Sequence, residues 1–428
     1  MRNPRFIDCS EAGTGKTYSA ALYSQWVHQT YEAPVIWVQP KSLIRKNKEE
    51  LIRFTDLKPN SIVIVEGNKD KRYDCYKKGA AVYLMTADTI RIDAVHVNNL
   101  GAYLVIVDEV HLLYGQPNSK RCQALFMLMQ RVQRFLAMTG TIISGKYITL
   151  YPTLHIVEPR YYLNLDHFKT QHCRTDFFGS VIGYKNGERL REILSKHSVR
   201  TSFEQAYGKE AKVIIREYVD LTERQKSIYE KLEREALIEL EDDFIAADKP
   251  GPKAIRARQI LSCPEVFDPK CPSGRDETVS IHFEEPGQLV VFSHFVAEQE
   301  RTLKLAMSLG RKAALMNGST SGNDRTKISE AYIRGELDTL IVSPSVGGVG
   351  FNWGGTNKML FLSMSYQDSD FIQNYRRAIR GKREKPLLIY LITYDCKVER
   401  RVFDIIERKS REANVVDPSR EVFDFSKL

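Results

Sequence analysis

A glycine-rich stretch near the start of the sequence has the residue types and spacing that bind phosphate. In SEAGTGKT (10–17), Gly13 and Gly15 let the backbone turn its N–H groups toward phosphate oxygens, and a helix is expected to follow. Lys16 would reach the β and γ phosphates, and the Thr17 hydroxyl would bind Mg²⁺. Ser10 departs from G-x-x-x-x-G-K-[ST], because it stands where the first glycine would be. The predicted nucleotide contacts of this loop are Gly13, Thr14, Gly15, Lys16 and Thr17.

An acidic pair supplies the chemistry that such a loop needs. The run YLVIVDEVH (103–111) ends in two carboxylates, as a buried strand does when it meets a loop. Asp108 can hold Mg²⁺ through the metal's water shell, and Glu109 can orient or deprotonate an attacking water. His111 either packs as an ordinary histidine or couples this site to neighbouring motifs. The alternative for the pair is an ordinary acidic strand end.

Arginines near the C-terminus could act on the same chemistry. In DFIQNYRRAIRGKR (370–383), Arg377 and Arg380 are three residues apart, which predicts that they share one face of a helix. Arginine stabilises the charge that spreads over a departing γ-phosphate. A basic solvated helix or a patch for a phosphate backbone is the alternative, above all for Arg376, Lys382 and Arg383.

The hydrophobic pattern predicts the strands and helices on which these residues lie. Short apolar runs separated by helix-length segments predict parallel sheets covered by helices. The runs are VIWV, SIVIVE, AVYLMT, LVIVDE and RFLAMTGT within 35–143, then QLVVFS, AALMNG, TLIVSP, KMLFLS and LLIYLIT after residue 287. Two α/β lobes are therefore predicted. Between them, residues 160–280 have helical periodicity, with one apolar face formed by Ile228, Leu232, Ala236 and Leu240.

Composition limits the class of protein. The 428 residues include 63 basic and 54 acidic side chains, giving a net charge of +9 and a pI near 9.0, which favours a polyanionic partner. Apolar runs such as LLIYLI fall far short of the roughly 20 residues that span a bilayer, and no export signal is present. We expect a cytoplasmic protein of a bacterial or infected host cell. Seven scattered cysteines argue against disulfides, and Cys263 and Cys271, with His172 and Cys173, lack the CxxC spacing of a zinc site.

Taken in order, SEAGTGKT, VDEVH, MTGT, VSPSVGGVGFNW and QNYRRAIRG resemble the motifs of superfamily two helicases and translocases. The segments VDLTERQKSIYEKL, IRARQILSCPEVFD, VVFSHF and ALMNGSTSGNDRTKISEAY are similar to the SWI/SNF-type branch. The resemblance covers nearly the whole chain. It implies a first RecA-like ATP-binding lobe over 1–159, a helical insertion and linker over 160–280, and a second RecA-like lobe over 281–428.

The resemblance also implies functional residues, with ATP and Mg²⁺ as the bound groups. To the loop and acidic residues already named it adds nucleotide contacts from Gly350, Gln373, Arg377 and Arg380. It implies that small hydroxyl residues contact or sense a nucleic-acid backbone: Ser42, Thr86, Thr139, Ser293, Ser319 and Ser343. Phosphate contacts of this kind position a strand without reading bases. Tyr73 and Tyr76, within a basic stretch, either stack on bases or are half-buried loop residues.

Three positions depart from the family pattern. Ile142 replaces the proline after TGT, which loosens the fit of that loop, and Arg376 replaces the glycine before the first arginine. The family's adenine-recognition glutamine lies well upstream of the phosphate loop, whereas nine residues without a glutamine precede Ser10 here. The base is then read loosely, or a partner protein or missing segment reads it, or the chain has been shortened, as a compact phage or viral form would be.

The resemblance implies an ATP-dependent translocase on double-stranded DNA, in remodelling or branch processing. Two alternatives remain open. One is a helicase that separates the strands of DNA or RNA. The other is a subunit without motor activity that uses the same fold to bind nucleic acid within a larger assembly.

Overall fold

The computed structural model of the chain describes residues 4–143, 146–208, 211–246, 251–347, 351–379, 383 and 385–427. Over 235–246 the backbone alone is described. The chain divides into two compact units: a first unit of Met1–Ala206 with Ala413–Ser419, and a second unit of Tyr207–Glu412 with Arg420–Leu428.

The first unit contains a seven-stranded parallel sheet in the order β3-β4-β2-β5-β6-β1-β9 and a two-stranded antiparallel hairpin, β7-β8. The strands are β1 (Arg5–Asp8), β2 (Val35–Val38), β3 (Ile62–Ile64), β4 (Val82–Met85), β5 (Leu104–Asp108), β6 (Arg134–Met138), β7 (Cys173–Thr175), β8 (Val181–Tyr184) and β9 (Ser198–Val199). The helices are α1 (Lys16–Tyr31), α2 (Ile44–Phe54), α3 (Lys69–Tyr76), α4 (Ala87–Ile92), α5 (Ala94–Asn98), α6 (Val110–Tyr114), α7 (Lys120–Met129), α8 (Tyr151–Val157), α9 (Leu165–His172), α10 (Gly187–His197) and α11 (Phe203–Tyr207).

Helices cover both faces of this sheet, which explains why its central strands are continuous apolar runs. In β2, Ile36 and Val38 pack into one hydrophobic cluster, whereas Val35 and Trp37 pack into another on the opposite face. All four side chains have an exposed fraction of 0%. Successive side chains of a strand point to opposite faces, so a strand buried on both sides must be apolar throughout.

The second unit contains a six-stranded parallel sheet in the order β10-β15-β14-β11-β13-β12. Its strands are β10 (Lys212–Val219), β11 (Leu289–Phe292), β12 (Ala313–Met316), β13 (Thr339–Val342), β14 (Lys358–Phe361) and β15 (Leu387–Tyr394). Its helices are α12 (Glu223–Ala246), α13 (Pro252–Ser262), α14 (Arg275–Glu284), α15 (Val296–Ser308), α16 (Gly322–Ile333), α17 (Pro344–Gly347), α18 (Asp368–Tyr375) and α19 (Lys397–Val416), of which residues 413–416 are counted with the first unit.

The predicted fold class, two α/β lobes with parallel sheets, is confirmed, and each of the ten apolar runs contains a strand. The predicted helix corresponds to α12. Ile228 and Leu232 pack against the hydrophobic core of the second unit, and the side chains of Ala236 and Leu240 are not among those described. Residues 160–280 differ from a separate insertion, because β9 joins the first sheet and β10 joins the second. The functional boundaries 1–159, 160–280 and 281–428 stay a prediction. In the part of the chain that the structure describes, no helix is long and apolar enough to cross a membrane.

Candidate nucleotide site and nucleic-acid contacts

The glycine-rich loop connects the end of β1 to the start of α1. Gly13 and Gly15 have φ angles of 86° and 97°, in the left-handed region that glycine adopts without strain. Gly15 is the N-cap of α1, and Lys16 is its first residue. The loop therefore brings backbone N–H groups and the positive end of a helix dipole to one place, which fits the phosphate site that the sequence predicts.

Lys16 folds back over its own loop. Its Nζ donates hydrogen bonds to the carbonyl oxygens of Ser10 (2.5 Å) and Glu11 (2.9 Å). Burial lowers the pKa of Lys16, and the negative charges of Glu109 and two aspartates, among them Asp108, oppose that shift. The ammonium group is thus held among carbonyl and carboxylate oxygens, where an incoming phosphate would replace the carbonyls as its partner.

The serine in place of the first glycine has a structural task. The Ser10 hydroxyl accepts a hydrogen bond from the Thr201 N–H at 3.0 Å, and its own N–H donates to Asp8 Oδ1 at 2.9 Å. Lys16 bonds to the Ser10 backbone, so the substitution leaves the lysine contact intact. Ser10, where the motif has glycine, therefore connects the loop to the segment that follows β9.

The next residue, Glu11, is fixed by ion pairing. Arg200 lies between two carboxylates, with Nη2 3.3 Å from Glu11 Oε1 and Nη1 2.5 Å from Asp417 Oδ2. Glu11 Oε2 also accepts the Phe203 N–H at 2.8 Å. The side chains of Glu11, Arg200 and Asp417 are at most 18% exposed. Sequence reasoning missed these supports, because no local pattern signals a contact between residues about 200 positions apart.

The acidic pair lies at the carboxyl end of the central strand β5. Asp108 is 8% exposed, and its Oδ1 accepts the Glu109 N–H at 3.0 Å. Burial raises the pKa of Asp108 to about 7, the charge of Glu109 adds to this, and Lys16 opposes it. A bound cation would relieve the same unfavourable burial, which fits a metal ligand.

Helix α2 supplies another hydrogen-bond partner for the Asp108 carboxylate. Asn47 Nδ2 lies 3.3 Å from Asp108 Oδ2 and also donates to Gln39 Oε1. Ile44, Asn47 and Leu51 form the buried face of α2. A polar residue at helical spacing on an apolar face was the signal that could have revealed Asn47, and sequence reasoning missed it.

Glu109 and His111 connect the acidic pair to the TGT motif. The His111 Nδ1 lies 2.7 Å from the Thr139 Oγ1 and 3.5 Å from Glu109 Oε2. The Thr139 hydroxyl also donates to the Thr141 carbonyl at 2.9 Å, so it lies between His111 and the backbone of its own motif. The geometry therefore fits the interpretation of His111 as a coupling residue.

The third motif completes the site. A Cβ placed on Gly140 would lie 3.4 Å from the Ala12 nitrogen and 3.7 Å from Lys16 Nζ, so Gly140 lies directly beside the phosphate loop. Ile142, where a proline was expected, is 4% exposed within the core. The first unit thus brings the segments 10–17, 108–111 and 139–141 together.

These residues fit a magnesium nucleotide. The loop offers N–H donors and a lysine, the adjacent strand offers a buried carboxylate, and the Gln39 Nε2 beside it is buried without a hydrogen-bond partner among the described residues. Thr17 is the second residue of α1, half-buried, where its hydroxyl can serve as a hard oxygen ligand.

Several predicted residues lie in the second unit. Gln373 is half-buried in α18. The expectation that Arg377 lies on a helical face is wrong, because α18 ends at Tyr375 and Arg377 is in the turn that follows, 7% exposed, with Nη1 3.4 Å from the Phe351 carbonyl. Gly350 and Arg380 lie outside the described residues. The roles assigned to these four residues stay predictions.

The six predicted backbone contacts all follow strands of the two parallel sheets. Ser42, Thr86 and Thr139 come after β2, β4 and β6, and Ser293, Ser319 and Ser343 come after β11, β12 and β13. Carboxyl ends of parallel strands meet at one edge of a sheet, so each unit gathers its three residues on one edge. Ser42 and Ser319 are exposed, and Thr86 and Ser343 are partly exposed.

Two of the six differ from the expectation of a side-chain contact with nucleic acid. Thr139 and Ser293 are both 0% exposed. Thr139 bonds to His111, and the Ser293 hydroxyl donates to the buried Glu298 Oε2 at 2.6 Å. Because both hydroxyls are already engaged inside their units, neither side chain is accessible to a phosphate backbone in this structure.

Two further expectations concern stacking and metal. Tyr73 and Tyr76 are half-buried in α3, with their rings 3.9 Å and 5.7 Å from the His96 ring between centroids. Tyr76 also donates to Asp93 at 2.9 Å, which fits the packing interpretation better than base stacking. Among the described residues, no cluster of three or more His, Cys, Asp or Glu could hold a metal ion.

Comparison with known proteins agrees with this geometry. Residues 5–264 match the SNF2-related domain, and residues 275–382 match the helicase conserved C-terminal domain. The chain belongs to the SNF2-related family. The sequence-based assignment to the SWI/SNF-like branch of superfamily two is thereby confirmed, and a phage or viral origin stays a prediction.

Two curated relatives illustrate the family. An uncharacterized ATP-dependent helicase, MG018 of Mycoplasma genitalium, is 22% identical over 94% of this chain and 39% of its own length. The DNA annealing helicase and endonuclease ZRANB3 of Homo sapiens is 28% identical over 46% of this chain and 19% of its own length. The chain thus spans less than half the length of either relative. Among solved structures, the Hef helicase domain of Pyrococcus furiosus shares the fold, with a TM-score of 0.55, 15% identity and 94% of each chain covered.

Proposed function

We propose that the chain is an ATP-dependent translocase that couples ATP hydrolysis to movement along double-stranded DNA. The observation that carries the proposal is the assembly of three motifs around Lys16 in the first unit, in a member of the SNF2-related family. Binding of ATP follows from the family, whose relative MG018 is an ATP-dependent helicase.

The residues would divide the work as follows. Gly13, Thr14 and Gly15 offer backbone N–H groups to the phosphates, and Lys16 neutralises their charge. When bound, Mg²⁺ would offset the negative charge of the phosphates. Thr17 and Asp108 are the proposed residues that hold it.

Glu109 is the proposed base that orients water for attack on the γ-phosphate. Glu109 is the N-cap of α6, directly after β5, and has a left-handed backbone conformation with φ 51°. Its Oε2 lies 3.5 Å from His111 Nδ1. Arg377 and Arg380 are proposed to stabilise the charge that develops on the phosphate, with Gly350 and Gln373 as further nucleotide contacts.

The nucleic acid is proposed to be duplex DNA. The net charge of +9 favours a polyanion, and relatives such as ZRANB3 act on DNA. Ser42, Thr86, Ser319 and Ser343 are the proposed backbone contacts, since they are at least partly exposed at the carboxyl edges of the sheets. Contacts of this kind hold a strand in any sequence, as translocation requires.

Steady-state ATP hydrolysis tests the proposal. The protein is assayed alone, with single-stranded DNA, with duplex DNA and with RNA, and Glu109→Gln serves as the blank. Strong stimulation by duplex that vanishes in the variant is expected. Stimulation by single strands alone would instead support a strand-separating helicase, and hydrolysis no higher than in the variant under every condition would refute a motor function. Equal hydrolysis of ATP and GTP would show that this chain alone does not select adenine.

A further inference from the structure

Gln299 is a buried polar residue of the second unit that has no part in the proposed nucleotide site. It lies in the first turn of α15 and is 1% exposed. Its Nε2 donates to the Ser293 carbonyl at 2.8 Å, and its Oε1 accepts a hydrogen bond from Asn317 Nδ2 at 3.2 Å. Burying an amide costs free energy unless both of its ends are hydrogen-bonded. An apolar side chain of similar size would fill the same space without that requirement, so the two contacts need an explanation of their own.

The two contacts join strand ends that are not neighbours. Ser293 directly follows β11 and Asn317 directly follows β12, and β13 lies between these strands in the sheet. Adjacent strands are about 4.8 Å apart, so the backbone hydrogen bonds of the sheet do not connect β11 to β12 directly. Gln299 makes that connection at the carboxyl edge, where Ser319 and Ser343 are the proposed DNA contacts of this unit.

Asn317 continues the connection to Ser319. The Asn317 Oδ1 accepts the Ser319 N–H at 3.0 Å and the Ser319 hydroxyl at 2.7 Å, and Asn317 itself is 5% exposed. Because Asn317 Nδ2 is bonded to Gln299, the oxygen of the amide is the end that faces Ser319. Ser319 is exposed. Its N–H can stay on Asn317 while its hydroxyl turns toward a phosphate oxygen, so the serine keeps its place when it binds.

The neighbouring Glu298 holds the other side of Ser293. Its Oε2 accepts hydrogen bonds from the hydroxyls of Ser293 (2.6 Å) and Ser363 (2.7 Å), and Ser363 lies in the loop after β14. Arg275 Nη1, 3.1 Å from Glu298 Oε1, supplies the compensating charge, and both side chains are 0% exposed. Ser293 is therefore held by its hydroxyl and by its carbonyl, which gives the Gln299 contact a fixed end.

We propose that Gln299 is a positioning residue for DNA binding, which holds Asn317 so that the Ser319 hydroxyl can donate to a phosphate of the DNA backbone. A hydroxyl placed in advance loses little conformational entropy on binding, whereas a loop that is free to shift would lose more. The inference rests on the proposed DNA-dependent function and adds a residue that does not touch the nucleic acid. The effect of Gln299 must therefore pass through Ser319, and a double-mutant cycle measures that dependence.

Binding of a fluorescein-labelled blunt duplex, measured by fluorescence anisotropy without ATP at one fixed salt concentration, tests this role. Ser319→Ala is expected to weaken the affinity about tenfold, because it removes a hydrogen bond to a charged group. Gln299→Leu should weaken the affinity about fivefold, because the loop must then be ordered on binding. The double variant should bind within about twofold of Ser319→Ala, whereas independent effects would multiply to about fiftyfold and would overturn the proposal.

Thr302→Val is the matched control, because it also removes a buried hydrogen bond of α15. The Thr302 hydroxyl donates to the Glu298 carbonyl at 2.6 Å within the same helix, and Thr302 is 3% exposed. The affinity of this variant should stay within about twofold of the wild type, since no loop contact is lost. An equal loss of affinity in Thr302→Val and Gln299→Leu would overturn the positioning role. A lower binding stoichiometry of Gln299→Leu with unchanged affinity would also overturn it, because partial unfolding has that effect.

Asn317→Ala breaks the same connection at its other end, so the test does not depend on the folding of one variant. It should weaken binding at least as much as Gln299→Leu, and it should change the affinity of Ser319→Ala by less than about twofold. An effect that multiplies with that of Ser319→Ala would overturn the proposal. Absence of duplex binding by the wild type would refute the DNA-dependent function itself, whereas duplex binding with a Gln299 effect independent of Ser319 would overturn the positioning role alone.

Discussion

The ion pairs of Arg200 give the sharpest prediction about the support of the phosphate loop. Arg200→Ala removes the partner of Glu11 and Asp417, both nearly buried. Breaking a buried pair by removing one partner costs about 3–5 kcal/mol. The arginine itself is 18% exposed and Glu11 keeps the Phe203 N–H, so we expect the low end, about 3 kcal/mol.

Hydrogen exchange measured by mass spectrometry is the suitable assay, because two units need not unfold as one and a single denaturation midpoint would mix them. A loss of about 3 kcal/mol corresponds to a protection factor more than a hundredfold lower for amides of β1 and β9, if these exchange through unfolding of the first unit. The control is Arg189→Ala, which breaks a pair with side chains 51% and 60% exposed and should cost less than about 1 kcal/mol. If the two variants lose the same protection, Arg200 does not support the loop.

Three further predictions concern the first unit. Asn47→Leu should lower the ATP turnover about tenfold and raise the Mg²⁺ concentration needed for half-maximal activity, because it removes the amide that orients Asp108; unchanged Mg²⁺ dependence would contradict this. Thr139→Val, which removes the hydroxyl 2.7 Å from His111 Nδ1, should lower stability by about 1–3 kcal/mol and reduce stimulation by DNA more than basal hydrolysis; equal loss of both rates would argue against coupling. Burial lowers the pKa of His172 to about 4, below the unfolded value near 6.5, so the stability of the first unit should fall as pH falls from about 6.5 to about 4. Urea titrations should show a smaller decline of stability in His172→Gln than in the wild type. An identical decline in both would contradict a contribution from His172.

The sequence predicted the elements whose signal is local. β2 and β5 are continuous apolar runs because both faces of each are buried, and the loop at 10–17 is recognised from spacing alone. β10 was missed because it is a half-exposed edge strand with mixed polarity, KVIIREYV, and β9 because it has two residues. Such strands form through pairing with distant segments, which a local pattern does not record.

The site divides in the same way. The positive φ angles of Gly13 and Gly15 and the contact of Lys16 with its own loop are local features that the motif spacing indicates. The contact of Ser10 with Thr201 could be known only from the fold. Thr139 and Ser293, which the resemblance implies contact or sense a nucleic-acid backbone, are buried, since a small hydroxyl at a strand end can serve either an internal hydrogen bond or a ligand. Spacing does not distinguish the two.

Displacement of a third strand from a triplex is the direct test of movement along duplex DNA. The triplex-forming strand is bound at one end of a duplex, and its release is followed with ATP for the wild type and for Glu109→Gln. ATP-dependent release by the wild type without separation of the underlying duplex is expected, with no release by the variant. Strong stimulation of hydrolysis by duplex without any displacement of the third strand would contradict it.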